Sequence, residues 1–178
     1  MRPYVAAISQ FAQALPRPVT AVDVGCGNFN VGRQIAPLFD SYIGCDVVSA
    51  VVEENRARFG DMFLHRDATR DVIPSSDVVI IREVLQHLSN ADIAAVLANL
   101  KANTRFKYLI VTEAVYTGPD FVPIVDIVTG EWAMRVERKS GVDLSAAPFL
   151  IADTSRRLLS EVPASSRDIV YRTTAHAF

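Results

Sequence analysis

Two glycines, Gly25 and Gly27, end an apolar run in the stretch Val22-Asp23-Val24-Gly25-Cys26-Gly27-Asn28. Glycine permits a tight turn and lets the backbone approach a ligand with no side chain in the way. A helical pattern follows, with Val31, Ile35, Leu38 and Phe39 on one face. Strand, glycine turn and helix in that order aim backbone N–H groups and a helix N-terminus at a ligand above the strand, the pattern of a nucleotide-type cofactor site. Asp46 stands about twenty residues further on, where a carboxylate can accept both hydroxyls of a ribose. Asp67 can accept from the exocyclic amine of a purine while the Ala68 N–H donates to a ring nitrogen. Arg82, Glu83 and Glu113 close two further apolar runs. Paired glycines alone are a weak signal, since they recur in ordinary loops; the ordered set carries the argument.

Proton transfer needs a base within reach. Glu83 and His87 are four residues apart, so on a helical turn they share one face. A carboxylate beside an imidazole orients it and raises its affinity for a proton. His87 with Glu83 is therefore the candidate catalytic pair, the alternative being that His87 packs beside the ligand or caps a helix. Arg82 either binds an acidic group or pairs with Glu83. Glu113, Tyr116, Asp126, Trp132 and Arg135 are candidates for lining a substrate pocket, and Trp132, the single tryptophan, either stacks on a sugar or aromatic ring or belongs to the core.

The elements that must hold these groups are legible in the periodicity. Residues 4–15 carry Val5, Ile8, Phe11, Ala12 and Leu15 at helical spacing, ended by Pro16 and Pro18. A strand over 19–24 and a helix over about 30–39 come next. A second strand over 41–46 leads to a helix capped by Ser49 and stopped by Gly60. Residues 62–65 and 77–81 read as strands three and four, the fourth wholly apolar after Asp77, as a strand buried on both faces should be. Asn90 reads as the N-cap of a helix over 91–102, with Ile93, Val96, Leu97 and Leu100 on one face; 108–112 is a fifth strand. From 118 to 148 the pattern loosens around prolines and glycines. Two further strands near 156–162 and 168–173, joined by a short turn, must be antiparallel. The fold class expected is α/β: a doubly wound, mostly parallel seven-stranded sheet with helices on both faces and an antiparallel C-terminal hairpin. The expectation is a single domain over 1–178: an N-terminal helix (1–18), a cofactor-binding core (19–117), a substrate lid or insertion (118–150) and C-terminal strands (151–178).

The 178 residues suffice for one proper core, half of them are hydrophobic, and a formal net charge of −2 gives no basic field for nucleic acid. Cys26 and Cys45 are too few for a disulfide framework or a zinc set, which suggests a reducing, cytoplasmic setting. No run is apolar for long enough to span a membrane, and the start does not read as a secretory leader. No metal-ligand cluster is apparent, so a metal-free reaction is expected. Oligomeric state is not readable.

VDVGCGN, YIGCDVV, HRDATRD and DVVIIREVLQHL, in that order, resemble the successive motifs of class I S-adenosylmethionine-dependent methyltransferases. The resemblance covers about residues 19–113. The later DIVTGEW and VDLSAAPF resemble a subgroup of small bacterial methyltransferases of unassigned substrate. It implies that Asp23, Gly25, Cys26 and Gly27 cradle the methionine part of the cofactor, that Asp46 and Val47 hold the ribose, that Asp67 and Ala68 meet the adenine, and that Arg82 and Glu83 lie at the cofactor. The implied activity is methyl transfer to an O- or N-nucleophile on a small metabolite, sugar or lipid-linked intermediate. The chain departs from the family at Phe29, where a third glycine is usual; a ring there either narrows the methionine pocket or turns away onto the N-terminal helix. Two other readings stand beside this one, a non-catalytic cofactor-binding protein and a nicotinamide-dependent oxidoreductase, the latter opposed by the missing third glycine and by the little chain left for a catalytic domain.

Overall fold

The structure is a computed structural model and describes residues 2–130, 135–165 and 168–178. Seven strands form one sheet: β1 (Thr20–Val24), β2 (Ser41–Asp46), β3 (Phe63–His65), β4 (Val78–Arg82), β5 (Tyr108–Tyr116), β6 (Ser155–Pro163) and β7 (Ile169–Ala177). Their order is β3-β2-β1-β4-β5-β7-β6. The first five are parallel, while β7 runs antiparallel between β5 and β6. From β1 the chain goes outward to β2 and β3, then returns to place β4 on the other side. The carboxyl ends of β1 and β4 therefore flank a topological switch point, where open α/β sheets bind ligands.

Burial explains the sheet. Val78, Val79, Ile80 and Ile81 are fully buried, because this central strand is covered on both faces. One face packs under α1 (Arg2–Gln13), α2 (Gly32–Ile35) and α3 (Ser49–Phe59), with Tyr4, Ile8, Phe11, Ile35 and Val52 in a shared cluster. The other packs under α4 (Asn90–Asn103), through Ile93, Val96 and Leu100. The antiparallel hairpin is present as expected.

Several local expectations need correction. The helix expected over about 30–39 is one short α-turn followed by a 3-10 turn, Ala36–Leu38. Pro37 has no N–H to continue an α-helix, and Phe29 sits at φ +61, outside helical geometry, just before it. Ser49 is the first helical residue of α3 and not its cap; the flanking Val48 N–H is held instead by Asp46 Oδ1 at 2.9 Å. In α4 the cap is Ser89, whose Oγ accepts from Asp92 N at 3.1 Å. Asn90, expected as the cap, instead donates its N–H to Asp126 Oδ1 at 2.7 Å. β5 runs four residues past its expected end, because β7 pairs with it from Tyr108 to Tyr116. Glu113 thus lies inside a strand.

Candidate functional site

The glycine turn is built by its own backbone. Gly25 and Gly27 adopt φ +78 and +52, values that favour glycine. A Cβ on Gly25 would lie 2.2 Å from Val84 Cγ2, so glycine also lets the loop after β4 pack across the turn. The amides do not rise toward a ligand as the sequence suggested. Gly25 N and Cys26 N both donate to Cys45 O, at 2.8 and 3.0 Å, and Gly27 N donates to Asp46 Oδ2 at 2.9 Å. Asn55 Nδ2 holds the Gly27 carbonyl at 2.7 Å. With α2 only four residues long, the turn works as a rigid scaffold for Asp46.

Asp46 is buried at the end of β2, and each carboxylate oxygen accepts one backbone N–H. An ionised carboxylate offers about four lone-pair positions, so about two remain for a vicinal diol. It forms one wall of a cleft of about 540 Å³ with Gly25, Val47, Asp67, Ala68 and Glu83. Asp67 closes a small turn: Oδ1 accepts from Thr69 N at 3.0 Å and Thr69 Oγ1 at 2.6 Å, which holds its carboxyl below the usual carboxylate range. Asn99 Nδ2, from α4, ties the Ala68 and Asp71 carbonyls at 2.9 and 2.8 Å. The Ala68 N–H has no partner among the described residues. Apolar walls come from Val84, Leu85, Leu88 and Val96, with Thr129 on the rim. A diol acceptor, a free N–H and an apolar slot together fit an adenosine.

His87 lines this cleft, with Nε2 3.2 Å from Gln86 Nε2. The helical turn expected to align it with Glu83 is absent: Glu83 has φ +56, and only a 3-10 turn, Leu85–His87, follows. Glu83 pairs with Arg82, whose guanidinium lies 5.3 Å from the Tyr4 ring centroid, on the α1 side. Asp23 is buried and accepts the Tyr42 hydroxyl; burial pushes its carboxyl up to about 6. Neither Asp23, Cys26, Gly27 nor Arg82 lines the cleft itself. The Cys26 and Cys45 thiols are free, with Cys45 pushed up to about 12 by burial.

The residues expected to line a substrate pocket are mostly engaged elsewhere. Glu113 is buried beneath the loop after β4, its Oε1 and Oε2 accepting Leu85 N and Gln86 N, each at 3.0 Å. Burial pushes this carboxyl up to about 8 against those two donors. Arg135 is fully buried and donates to the carbonyls of Val125 and, at 2.6 Å, Leu88. Asp126 Oδ1 accepts Asn90 N and Ile127 N. These groups fasten the segment before residue 130 to the start of α4. Gly130 N reinforces that with a 3.0 Å bond to His87 O. Tyr116 is half-buried at the end of β5, and Trp132 lies outside the described residues.

Sequence reasoning missed Thr69, Val84, Leu85, Leu88, Val96 and Thr129 as cleft residues. An Asp-x-Thr turn signal marks Thr69. Thr129 has no local signal, since it is brought in by Ser89 N and Asp92 Oδ2 from about forty residues away. Among the described residues no three His, Cys, Asp or Glu side chains form a metal-ligand group, and no helix is long and apolar enough to cross a membrane.

A family model described as Methyltransferase domain matches residues 22–105. No curated protein matches the sequence significantly. Among solved structures the chain is similar to the methyltransferase domain of bacterial CtHen1-CN, at 17% identity and TM-score 0.68, over 99% of this chain and 98% of that one. It is similar to the N-methyltransferase NodS from Bradyrhizobium japonicum WM9, at 12% identity and TM-score 0.66, over 99% and 96%. It is also similar to magnesium protoporphyrin IX methyltransferase from Synechocystis PCC 6803 with bound SAM, at 18% identity and TM-score 0.58, over 98% and 78%. The chain spans 54% of the length of the mitomycin 7-O-methyltransferase MmcR, which it matches at TM-score 0.52. At these identities the likeness to solved structures concerns the fold.

Proposed function

We propose that this chain, whose residues 22–105 match a methyltransferase domain, is a class I S-adenosylmethionine-dependent methyltransferase that methylates an O- or N-nucleophile on a small molecule. The observation that carries this reading is the cleft at the switch point, where Asp46 keeps free acceptor positions beside an Ala68 N–H that has no partner among the described residues. Asp46 would hold the ribose hydroxyls, and Asp67 with Ala68 the adenine. The glycine turn and Glu83 would face the methionine end. Bound there, S-adenosylmethionine supplies a methyl carbon activated by a positively charged sulfur. Holding a nucleophile in line with that carbon and excluding water lowers most of the barrier.

The chain's own residues then have three tasks. Val84, Leu85, Leu88 and Val96 exclude water from the cleft. Glu83 and His87, both in its wall, would take the proton that an acceptor hydroxyl or ammonium must release. Glu113 and Arg135 hold the loops that carry them. The near-balanced charge favours a small molecule over nucleic acid.

Calorimetric titration with S-adenosylmethionine, S-adenosylhomocysteine and NADH tests the reading on wild type and Asp46→Asn. The first two ligands should bind, and weaken in the variant. Binding of NADH alone would overturn the assignment.

A further inference from the structure

On the α1 side of the sheet, a second cavity of about 190 Å³ opens between α1 and strands β4 to β6. Its floor is one polar row. Arg82 pairs in register with Thr112, Thr112 with Thr173, and Thr173 with Ser160. Residues in register across neighbouring strands project from the same face, so four polar side chains cross a surface that is otherwise core. Thr112 and Thr173 satisfy each other, with their hydroxyls 3.0 Å apart. Tyr4 of α1 closes the space from above.

Four buried polar atoms on residues lining this cavity have no hydrogen-bond partner among the described residues; Glu83 Oε1 is answered by its ion pair with Arg82, which leaves three, Tyr4 Oη, Arg82 Nε and Ser160 Oγ. Native interiors rarely leave such groups unpaired, because each costs its full desolvation. Three in one small space mark a place for something that pairs with them. The chemistry of the three narrows it. Two hydroxyls both donate and accept, and one guanidinium N–H donates. Arg82 is already neutralised by Glu83, so no unpaired cation awaits a carboxylate or phosphate, and no unpaired anion awaits an ammonium. An apolar group would leave all three atoms unsatisfied. The complement is a neutral group bearing several hydroxyls.

Position favours the acceptor over the cofactor. The cofactor cleft holds its acids over the ends of β2 and β3, at Asp46 and Asp67, and reaches β4 at Ile81, whereas this cavity runs from the end of β4 across β5 and β7 to β6. Glu83 lines both and is their common wall. At about 30 Å³ per water, the space corresponds to roughly six waters, the scale of one sugar ring and not of an oligosaccharide. We propose that this cavity is the acceptor subsite and that it takes a neutral polyhydroxylated ring, a monosaccharide or cyclitol unit. The proposal rests on the reading of the adjoining cleft as the S-adenosylmethionine site.

The test is titration of wild type, Tyr4→Phe and Ser160→Ala with S-adenosylhomocysteine, and then of each saturated protein with a panel of neutral monosaccharides and myo-inositol. Wild type should bind at least one member of the panel. Each substitution removes one hydrogen bond and should weaken that binding by about fivefold to tenfold, with S-adenosylhomocysteine affinity changed less than about twofold. Melting temperatures of the unliganded variants should stay level or rise, because an orphaned polar group has been removed; this separates lost binding from lost folding. Absence of any panel binding, or binding untouched by both substitutions, overturns the proposal. So does a loss confined to S-adenosylhomocysteine, which would assign the cavity to the cofactor's amino-acid end. Failure of wild type to bind S-adenosylhomocysteine would instead sink the reading of the cleft.

Discussion

Replacing Phe29 sets two energetic effects against each other, and the structure says which wins. The ring is buried and packs on Tyr42, Phe59 and Phe63, with centroids 5.8, 5.2 and 4.9 Å away, so it points into the core and away from the cleft. This is the second of the two outcomes expected from sequence, with an aromatic cluster beside α3 as the partner in place of α1. Its backbone sits at φ +61, where a side chain costs about 1–2 kcal/mol and glycine costs almost nothing. Removing a buried phenylalanine ring costs about 3–5 kcal/mol. Phe29→Ala loses the ring and keeps the strain. Phe29→Gly loses the ring but relieves the strain, and should be the more stable of the two by about 1 kcal/mol after the larger unfolded-state entropy of glycine is counted. Phe29→Gly should therefore lie about 2–4 kcal/mol below wild type. Gly32 supplies a cross-check. A Cβ there would lie 2.4 Å from the Phe29 ring, so Gly32→Ala should cost about 1–3 kcal/mol in wild type and less in Phe29→Ala. Urea unfolding at constant m value measures wild type, the three single variants and the Phe29→Ala/Gly32→Ala double variant. Calorimetry should find S-adenosylhomocysteine affinity changed by less than about twofold in Phe29→Gly. Alanine proving more stable than glycine, or tighter cofactor binding without the ring, would refute the placement of Phe29.

Asp46→Asn keeps the loop's shape but loses two charge-assisted hydrogen bonds and the acceptor for a diol; S-adenosylhomocysteine should bind about tenfold to a hundredfold more weakly by calorimetry. Glu113 gives a pH signature. Burial raises its carboxyl from 4.5 to about 8 in the folded chain, so the native state holds a proton that the unfolded chain releases. Stability is then full below about 4.5 and falls as pH rises to about 8; Asp23, raised to about 6, acts in the same direction over the lower part of that range. Glu113→Gln should flatten the decline between pH 6 and 8 in urea midpoints, and a wild type equally stable at both would contradict the assignment. Ser89→Ala removes the α4 cap and should lower stability by about 1 kcal/mol, read from the same unfolding curves.

The strands were legible because their signals are local. An apolar run such as Val78 to Ile81 announces a strand buried on both faces, and a turn such as Gly25-Cys26-Gly27 announces its own backbone. The Asp46 and Asp67 positions follow from the same short-range grammar of strand, turn and acid. Helix ends were read less well. Whether Ser89 or Asn90 caps α4 depends on Asp126 reaching Asn90 N from thirty-six residues away. That contact is not written in the local pattern.

What the amino-acid sequence determined by itself was the strands, their carboxyl ends and the chemical types gathered there, since hydrophobic period, glycine and acid spacing act over a few residues. Direction and partnership were decided only by tertiary structure. Glu113 and Arg135 looked like substrate ligands, and packing turned both into buried struts for loops distant in sequence. The glycine amides looked free, and Cys45 and Asp46 occupy them. The row Arg82, Thr112, Thr173 and Ser160 exists only because β7 inserts antiparallel between β5 and β6 in one register; a slip of one residue would send those side chains to the opposite face.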